Sequence, residues 1–194
     1  MKLIELSQGR VAIVDDEDFD WLSAWKWHYH RRKGAITGYA RRTDRKNGDQ
    51  RTIQMHNEIY HHYHRESFQE LDHINTCGCD NRKSNIRLAT RSANCVNKQR
   101  RSDNTSNKTG VTWYRQDQKW VARLQLPGKR LYLGGFVKKK DAIAARRHAE
   151  IAHFKEYRHN PRNLCPLWKT RQCPDCAKRA STYGLKEETN DECR

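Results

Sequence analysis

Between Gly110 and Leu133 the chain alternates apolar and polar residues through three successive runs. Val111 and Trp113 fall on one side, Thr112 and Tyr114 on the other. Ala122, Leu124 and Leu126 then alternate with Val121, Arg123 and Gln125, and beyond the Pro127-Gly128 turn Leu131 and Leu133 alternate with Arg130 and Tyr132. Successive side chains of a strand point to opposite faces, so a period of two sustained this way predicts a three-stranded antiparallel sheet. One face is apolar, the other polar and basic. The period then lengthens: Ala142, Ala145, Ala149 and Ala152, with Ile143 and Ile151, recur at helical spacing between Lys140 and Phe154. Such a helix can cover the apolar face and close a small core.

Charge narrows the class of partner. With 39 Lys plus Arg against 23 Asp plus Glu, the 194-residue chain carries a net charge of +16. A compact body with that excess repels itself, and a polyanion is the partner that offsets it. Only 35% of residues are apolar and the mean hydropathy is −1.15, so the core is small for the length. No apolar run approaches the roughly 20 residues of a membrane helix. Met1-Lys2-Leu3-Ile4-Glu5 lacks the apolar stretch of a signal peptide. These features predict a soluble, cytoplasmic, DNA-associated protein with no membrane partner, and no protein partner is evident. In that compartment seven cysteines read as thiols or metal ligands rather than a disulfide framework.

The first hundred residues read as one β-rich module. Val11 to Val14 is a short strand; Asp15 to Asp18 offer helix N-caps before Phe19, Leu22 and Trp25. Strands are expected at Trp27 to His30, Tyr39 to Arg42 and Thr52 to Met55, with Asn47-Gly48 as a hairpin turn. His56 to His64 predicts a helix with Ile59 and Tyr63 on one face. Trp21, Trp25 and Trp27 are expected in the core of this module, and Trp113 and Trp120 as anchors beneath the later sheet. The dense run His61, His62 and His64 reads as a solvated or phosphate-facing helix end in preference to a metal site.

The module ends in Asp72-His73-Ile74-Asn75, Asp80-Asn81-Arg82, Ser84-Asn85-Ile86-Arg87-Leu88 and Ser92-Ala93-Asn94. An imidazole of ordinary pKa is neutral at pH 7 and can take a proton from water. A carboxylate and an amide are oxygen ligands suited to a hard cation. Any one of these residues is at home in an ordinary turn, where Asp, Ser and Asn cap backbone groups. The ordered set from about Met55 to Asn97 resembles the HNH endonuclease family, in the variant whose last motif residue is Asn. The resemblance implies a ββα-metal motif and hydrolysis of phosphodiester bonds in double-stranded DNA. It implies His73 as general base, Asp72 and Asn94 as ligands of Mg²⁺ or Mn²⁺, and Asn85 as the brace that orients His73. Arg82 and Arg87 would contact phosphate, Asn81 would shape the turn, and His56 would serve structure or DNA contact. Thr76-Cys77-Gly78-Cys79 departs from the Gly-Asp-Gly-like turn common in relatives, and Cys77 and Cys79 are either small fillers or part of a zinc site.

The second module resembles the AP2 DNA-binding domain through Thr109-Gly110-Val111, Lys119-Trp120-Val121-Ala122, Leu133-Gly134-Gly135-Phe136 and the alanine-rich helix with Asp141-Ala142. The resemblance implies that the exposed sheet face enters the major groove. Thr112, Tyr114, Arg123, Gln125, Arg130 and Tyr132 would then face DNA. Several of these positions are arginine in plant members, so base preference does not transfer.

The expected organisation is α+β: a nuclease module over 1–98, a linker over 99–108, an AP2-like module over 109–160 and an irregular cysteine-containing tail over 161–194. In the tail Cys173-Pro174-Asp175-Cys176 has the spacing of a zinc knuckle, and Cys165 and Cys193 lie near it in sequence. No second C-x-x-C follows, so thiols in a flexible tail stand beside a structural Zn²⁺ site as readings. The functional expectation is a metal-dependent DNA endonuclease, of the homing type found on phages and mobile elements. The alternative is a non-enzymatic, sequence-specific DNA-binding regulator on a nuclease scaffold.

Overall fold

Gln8 and Gly9 both take positive φ, 65° and 62°, and turn the chain back on itself. Strand β1 (Lys2–Leu6) therefore pairs antiparallel with β2 (Arg10–Val14), Lys2 opposite Val14 and Leu6 opposite Arg10. In this computed structural model the described residues are 1–35, 37–46, 49–68, 70–96, 104, 106–157, 160, 163–168 and 172–182. They form a mixed α+β protein of small antiparallel sheets and few helices. Among the described residues no helix is long and apolar enough to cross a membrane. Contacts divide the chain into two units, Met1–Arg91 with Asn160–Arg194, and Ser92–His159.

In the first unit β3 (His28–His30), β4 (Tyr39–Lys46) and β5 (Asp49–Gln54) form a three-stranded sheet. Lys46 pairs with Asp49, while the expected Asn47-Gly48 turn lies outside the described residues. A 3-10 turn over Asp16–Asp18 runs into the short helix α1 (Phe19–Ser23). The expected aspartate caps are absent there. Asp15 instead accepts the Lys83 backbone N–H at 2.8 Å, and Asp18 accepts the Tyr63 hydroxyl at 2.7 Å. These carboxylates tie distant segments together rather than ending a helix.

Helix α2 (Met55–Tyr63) follows β5 directly and buries Met55 and Ile59, whereas Tyr63, expected beside Ile59, is exposed. Trp27 is buried and Trp21 packs on the core, as expected of a β-rich module. Trp25 is not core: it is 48% exposed and carries the Arg42 guanidinium 4.2 Å above its ring. The cation–π contact lets an aromatic face stay at the surface. The core gathers Ile4, Ala12, Ile13, Val14, Leu22, Met55 and Ile59. Strand β6 (Glu70–His73) pairs antiparallel with β7 (Ile86–Ala89), and α3 (Arg91–Val96) follows.

The C-terminal segment corrects the expected irregular tail. It contains a 3-10 turn at Pro166–Trp168 and helix α5 (Pro174–Thr182). Pro174 starts the helix, where its missing N–H costs nothing, and Asp175 sits in the first turn. Asp175 anchors α5 on the first unit, accepting the Tyr29 hydroxyl at 2.7 Å and lying 3.7 Å from Arg10 and 3.6 Å from Arg31.

In the second unit β8 (Val111–Tyr114), β9 (Lys119–Leu126) and β10 (Lys129–Phe136) form an antiparallel sheet in the order β10-β9-β8. Helix α4 (Lys139–Phe154) packs against it through Ala142, with Val111, Ala122, Leu133, Phe136 and Ile143. Two details differ from the alternation. Val121 is buried although it lies on the polar side, and Trp113 is 42% exposed although it lies on the apolar side. Trp113 is paired with Trp120 on the edge strand β8, beyond full cover by α4, and the two rings contact each other at 5.2 Å. Residues 99–103 and 105 of the expected linker lie outside the described residues.

Candidate active site and exposed sheet face

Strand β6 delivers Asp72 and His73 to the mouth of a twelve-residue loop that returns as β7. Register sets Asp72 opposite Arg87 and His73 opposite Ile86. Arg87 grips Asp72 Oδ2 through Nε at 3.0 Å and Nη2 at 2.7 Å. Both residues are mostly buried, so this pair is charge-assisted in a partly desolvated place.

The loop is held by amides. Asn85 Oδ1 accepts the Asn75 backbone N–H at 3.0 Å, while its Nδ2 donates to Asn75 Oδ1 at 3.0 Å and to the Asp80 carbonyl at 2.7 Å. Asn75 Nδ2 donates to Asp80 Oδ2 at 2.7 Å, and Arg82 clamps both Asp80 oxygens at 2.8 Å. Asp80 and Asn81 are fully buried. Strand β2 pins the loop from below: Ile13 N–H donates to the Cys79 carbonyl and Asn81 N–H to the Ile13 carbonyl, each at 2.8 Å. Gly78 passes so close to Gly38 and Tyr39 that a Cβ would stand 2.4 Å from the Gly38 carbonyl oxygen.

His73 sits at the centre. Its Nε2 lies 3.3 Å from Asn81 Oδ1, and Asn81 Nδ2 donates to the Met55 sulfur at 3.4 Å. With Asn81 Nδ2 turned to the Met55 sulfur, the Asn81 oxygen faces the ring, an arrangement that suits the tautomer with its proton on Nε2. His56 meets His73 edge-on at 4.7 Å, and the Tyr39 ring lies 5.7 Å from both. Burial pushes the His73 pKa below that of an ordinary histidine, against the opposing influence of Asn81, Asp80 and Asp72. His56 is pushed much lower, by burial first and then by His73 and Arg41. Burial thus favours the neutral form of both imidazoles.

The first unit thus brings together Asp72, His73 and Asn85 of the expected set. Asn94 lies half-buried on α3, within the stretch from Ser92 onward that belongs to the second unit. Arg82 and Arg87, expected at phosphate, are engaged with Asp80 and Asp72. The sequence carried Asn75, Asp80 and Asn81 in its motif but gave no sign that Asn81 touches the imidazole. The exposed His62 stacks on Trp21 at 4.5 Å and His64 on Tyr60 at 4.4 Å, as suits a solvated helix end.

On the second unit, register puts Arg123 opposite Tyr132, Gln125 opposite Arg130, Thr112 opposite Val121 and Tyr114 opposite Lys119. Paired residues share a face, so Thr112, Tyr114, Arg123, Gln125, Arg130 and Tyr132 all lie on the side away from Ala122 and Leu124. All six are exposed. Arg130 Nε donates to Gln125 Oε1 at 3.1 Å, joining β9 and β10 across the face. Lys119, opposite Tyr114, belongs to the same face and adds a third cation beside Arg123 and Arg130. Beneath, Arg146 donates to the Arg123 carbonyl and to Glu150 Oε1 at 2.9 Å, and Glu150 accepts Lys108 Nζ at 2.6 Å. This network fixes the β9 backbone from the helix side.

A separate cluster corrects the cysteine expectation. The Sγ atoms of Cys77, Cys165, Cys173 and Cys176 all lie within 4.8 Å of one another, and all four residues are buried. Cys77, from the loop after β6, takes the place assigned to Cys193, which lies outside the described residues. Docking of α5 through Asp175 brings the segments together, so three tail cysteines are interior groups rather than thiols of a flexible tail. Cys79 is buried apart from them, its Sγ 3.8 Å from the Gly38 carbonyl oxygen. No family model, curated protein or solved structure matches the chain.

Proposed function

We propose that this chain is a metal-dependent endonuclease of the HNH type that hydrolyses phosphodiester bonds in duplex DNA. The observation that carries the reading is the placement of His73: a buried imidazole next to Asp72, its Nε2 3.3 Å from Asn81 Oδ1, with burial favouring the neutral form that can accept a proton. In the reaction a ring nitrogen of His73 takes a proton from water, the water oxygen bonds phosphorus, and the bond to the 3′ oxygen breaks, that oxygen taking a proton from solvent. Asn85 and Asn75 hold the loop so that the imidazole does not drift. Asp72 is the carboxylate of this unit that would hold Mg²⁺ or Mn²⁺, and its chemistry fits a hard cation. Arg87, which holds Asp72 Oδ2, would share that carboxylate with the ion. When bound, the ion supplies charge neutralisation at phosphorus and help for the leaving oxygen.

The sheet face of the second unit is the proposed docking surface for duplex DNA. Its Arg123, Arg130 and Lys119 supply cations, and Thr112, Tyr114, Gln125 and Tyr132 supply hydrogen bonds or apolar contacts. The net charge of +16 supports the same partner.

One observation favours the regulator reading instead: Arg87 already closes Asp72, and His73 is only 5% exposed. Incubation with supercoiled plasmid and Mg²⁺, with EDTA as control, separates the two. Relaxed or linear product that EDTA abolishes supports the nuclease; DNA bound but uncut under all metals supports the regulator.

A further inference from the structure

We propose that Cys77, Cys165, Cys173 and Cys176 form a four-thiolate zinc site that ties the loop between β6 and β7 to the C-terminal segment. The proposal does not rest on nuclease activity.

Geometry is the first argument. A tetrahedral zinc with bonds of about 2.3 Å to sulfur sets the sulfurs about 3.8 Å apart. Here Cys77 and Cys173 are 3.6 Å apart and every pair of the quartet lies within 4.8 Å. A disulfide needs about 2.05 Å between sulfurs, and it would satisfy two cysteines, not a mutual cluster of four. Buried cysteine as simple filler is represented nearby by Cys79, which points at a carbonyl and stays out of the cluster.

The arrangement of the chain is the second argument. Three separate segments converge: the loop after β6, the stretch before Pro166, and the start of α5. Cys173 immediately precedes the helix, with its carbonyl accepting the Ala177 N–H at 3.0 Å, and Cys176 lies in the first turn. The N-terminal end of a helix favours thiolate over thiol, which is the form zinc takes. On folding, zinc would replace the protons of four thiols with Zn–S bonds and release those protons to solvent.

The site would act on the loop through Cys77. Its N–H donates to Asn75 Oδ1 at 2.9 Å and its carbonyl accepts the Asp80 N–H at 3.0 Å. Fixing Cys77 thereby fixes Asn75 and Asp80, the partners of Asn85 and Arg82.

The test is metal analysis of the full chain purified without chelator. The expected content is about one zinc per chain, as for a structural four-cysteine site. Cys77→Ser and Cys165→Ser should lose it, and Cys79→Ser should keep it. If the quartet variants do not fold, the wild-type chain decides: exchanged into Co²⁺, it should show intense thiolate-to-cobalt bands and tetrahedral d–d bands. In the zinc form, the four quartet thiols should resist a thiol reagent until a strong chelator is added. A zinc-free native chain, zinc retained in both quartet variants, or cobalt bands without thiolate character would overturn the proposal.

Discussion

The imidazole of His56 stands edge-on to that of His73, ring centroids 4.7 Å apart, with both residues buried and His56 Nδ1 lacking a hydrogen-bond partner among the described residues. Two neutral histidines so placed make the first unit acid-sensitive. The folded-state pKa of each lies below the unfolded value of about 6.5. Between those values the unfolded chain binds protons that the folded chain does not. Stability from these groups is therefore complete above about pH 6.5 and falls as the pH drops toward the folded-state values. Melting temperatures between pH 8 and pH 5 should decline on the acid side, and more gently in His56→Gln. Equal slopes in the two proteins would show that His56 does not carry the effect.

Asn85 makes three buried hydrogen bonds that join the two ends of the loop. Asn85→Ala leaves the Asn75 N–H and the Asp80 carbonyl without this partner, at about 1 to 3 kcal/mol for each buried group. Denaturant unfolding should show that loss, while salt-dependent DNA binding through the sheet stays unchanged. A stability within about 0.5 kcal/mol of wild type would refute the bracing role.

Thr76 has φ of 57°, a left-handed conformation that a β-branched residue rarely adopts. Thr76→Gly should relieve about 1 kcal/mol of strain, less the entropy that glycine adds to the unfolded chain. Gly78→Ala runs the other way, because a Cβ meets the Gly38 carbonyl oxygen and the Tyr39 ring. Thermal melts of the two variants should move in opposite directions. A shared direction would mean that the loop path is wrong.

The contrast between sheet and loop shows what was legible in the chain. Alternation from Val111 to Tyr132 read correctly because one face is buried and the other solvated, so side-chain period follows strand period directly. It misled at Trp113, where the cover of α4 ends before the sheet edge does. The Asp72 to Asn85 wording marked the loop because its amides act locally, within about ten residues. Cys77 could not be matched to Cys165, Cys173 and Cys176 by spacing, since the quartet exists only after distant segments dock. Pro174 and Asp175 did carry a helix-start signal, but a nine-residue helix gives little periodicity to confirm it.

On the sheet face, Arg123→Ala and Arg130→Ala should each cost about 1 to 3 kcal/mol in DNA affinity if the arginine reads a base. If it meets phosphate, the salt slope should fall by about one instead. Lys119→Ala should behave as a phosphate contact. Gel shifts at several salt concentrations distinguish these outcomes, and unchanged affinity and slope in all three variants would remove the sheet as the docking surface.

Single-turnover cleavage of a DNA duplex with Mg²⁺ reads the proposed role of His73 as the base of a DNA-cutting site. His73→Ala should bind DNA as tightly as wild type and cut it about 10² to 10⁴ times more slowly, the usual cost of losing a general base. Cleavage by His73→Ala at the wild-type rate, or no metal-dependent cleavage by the wild-type chain, would contradict the account.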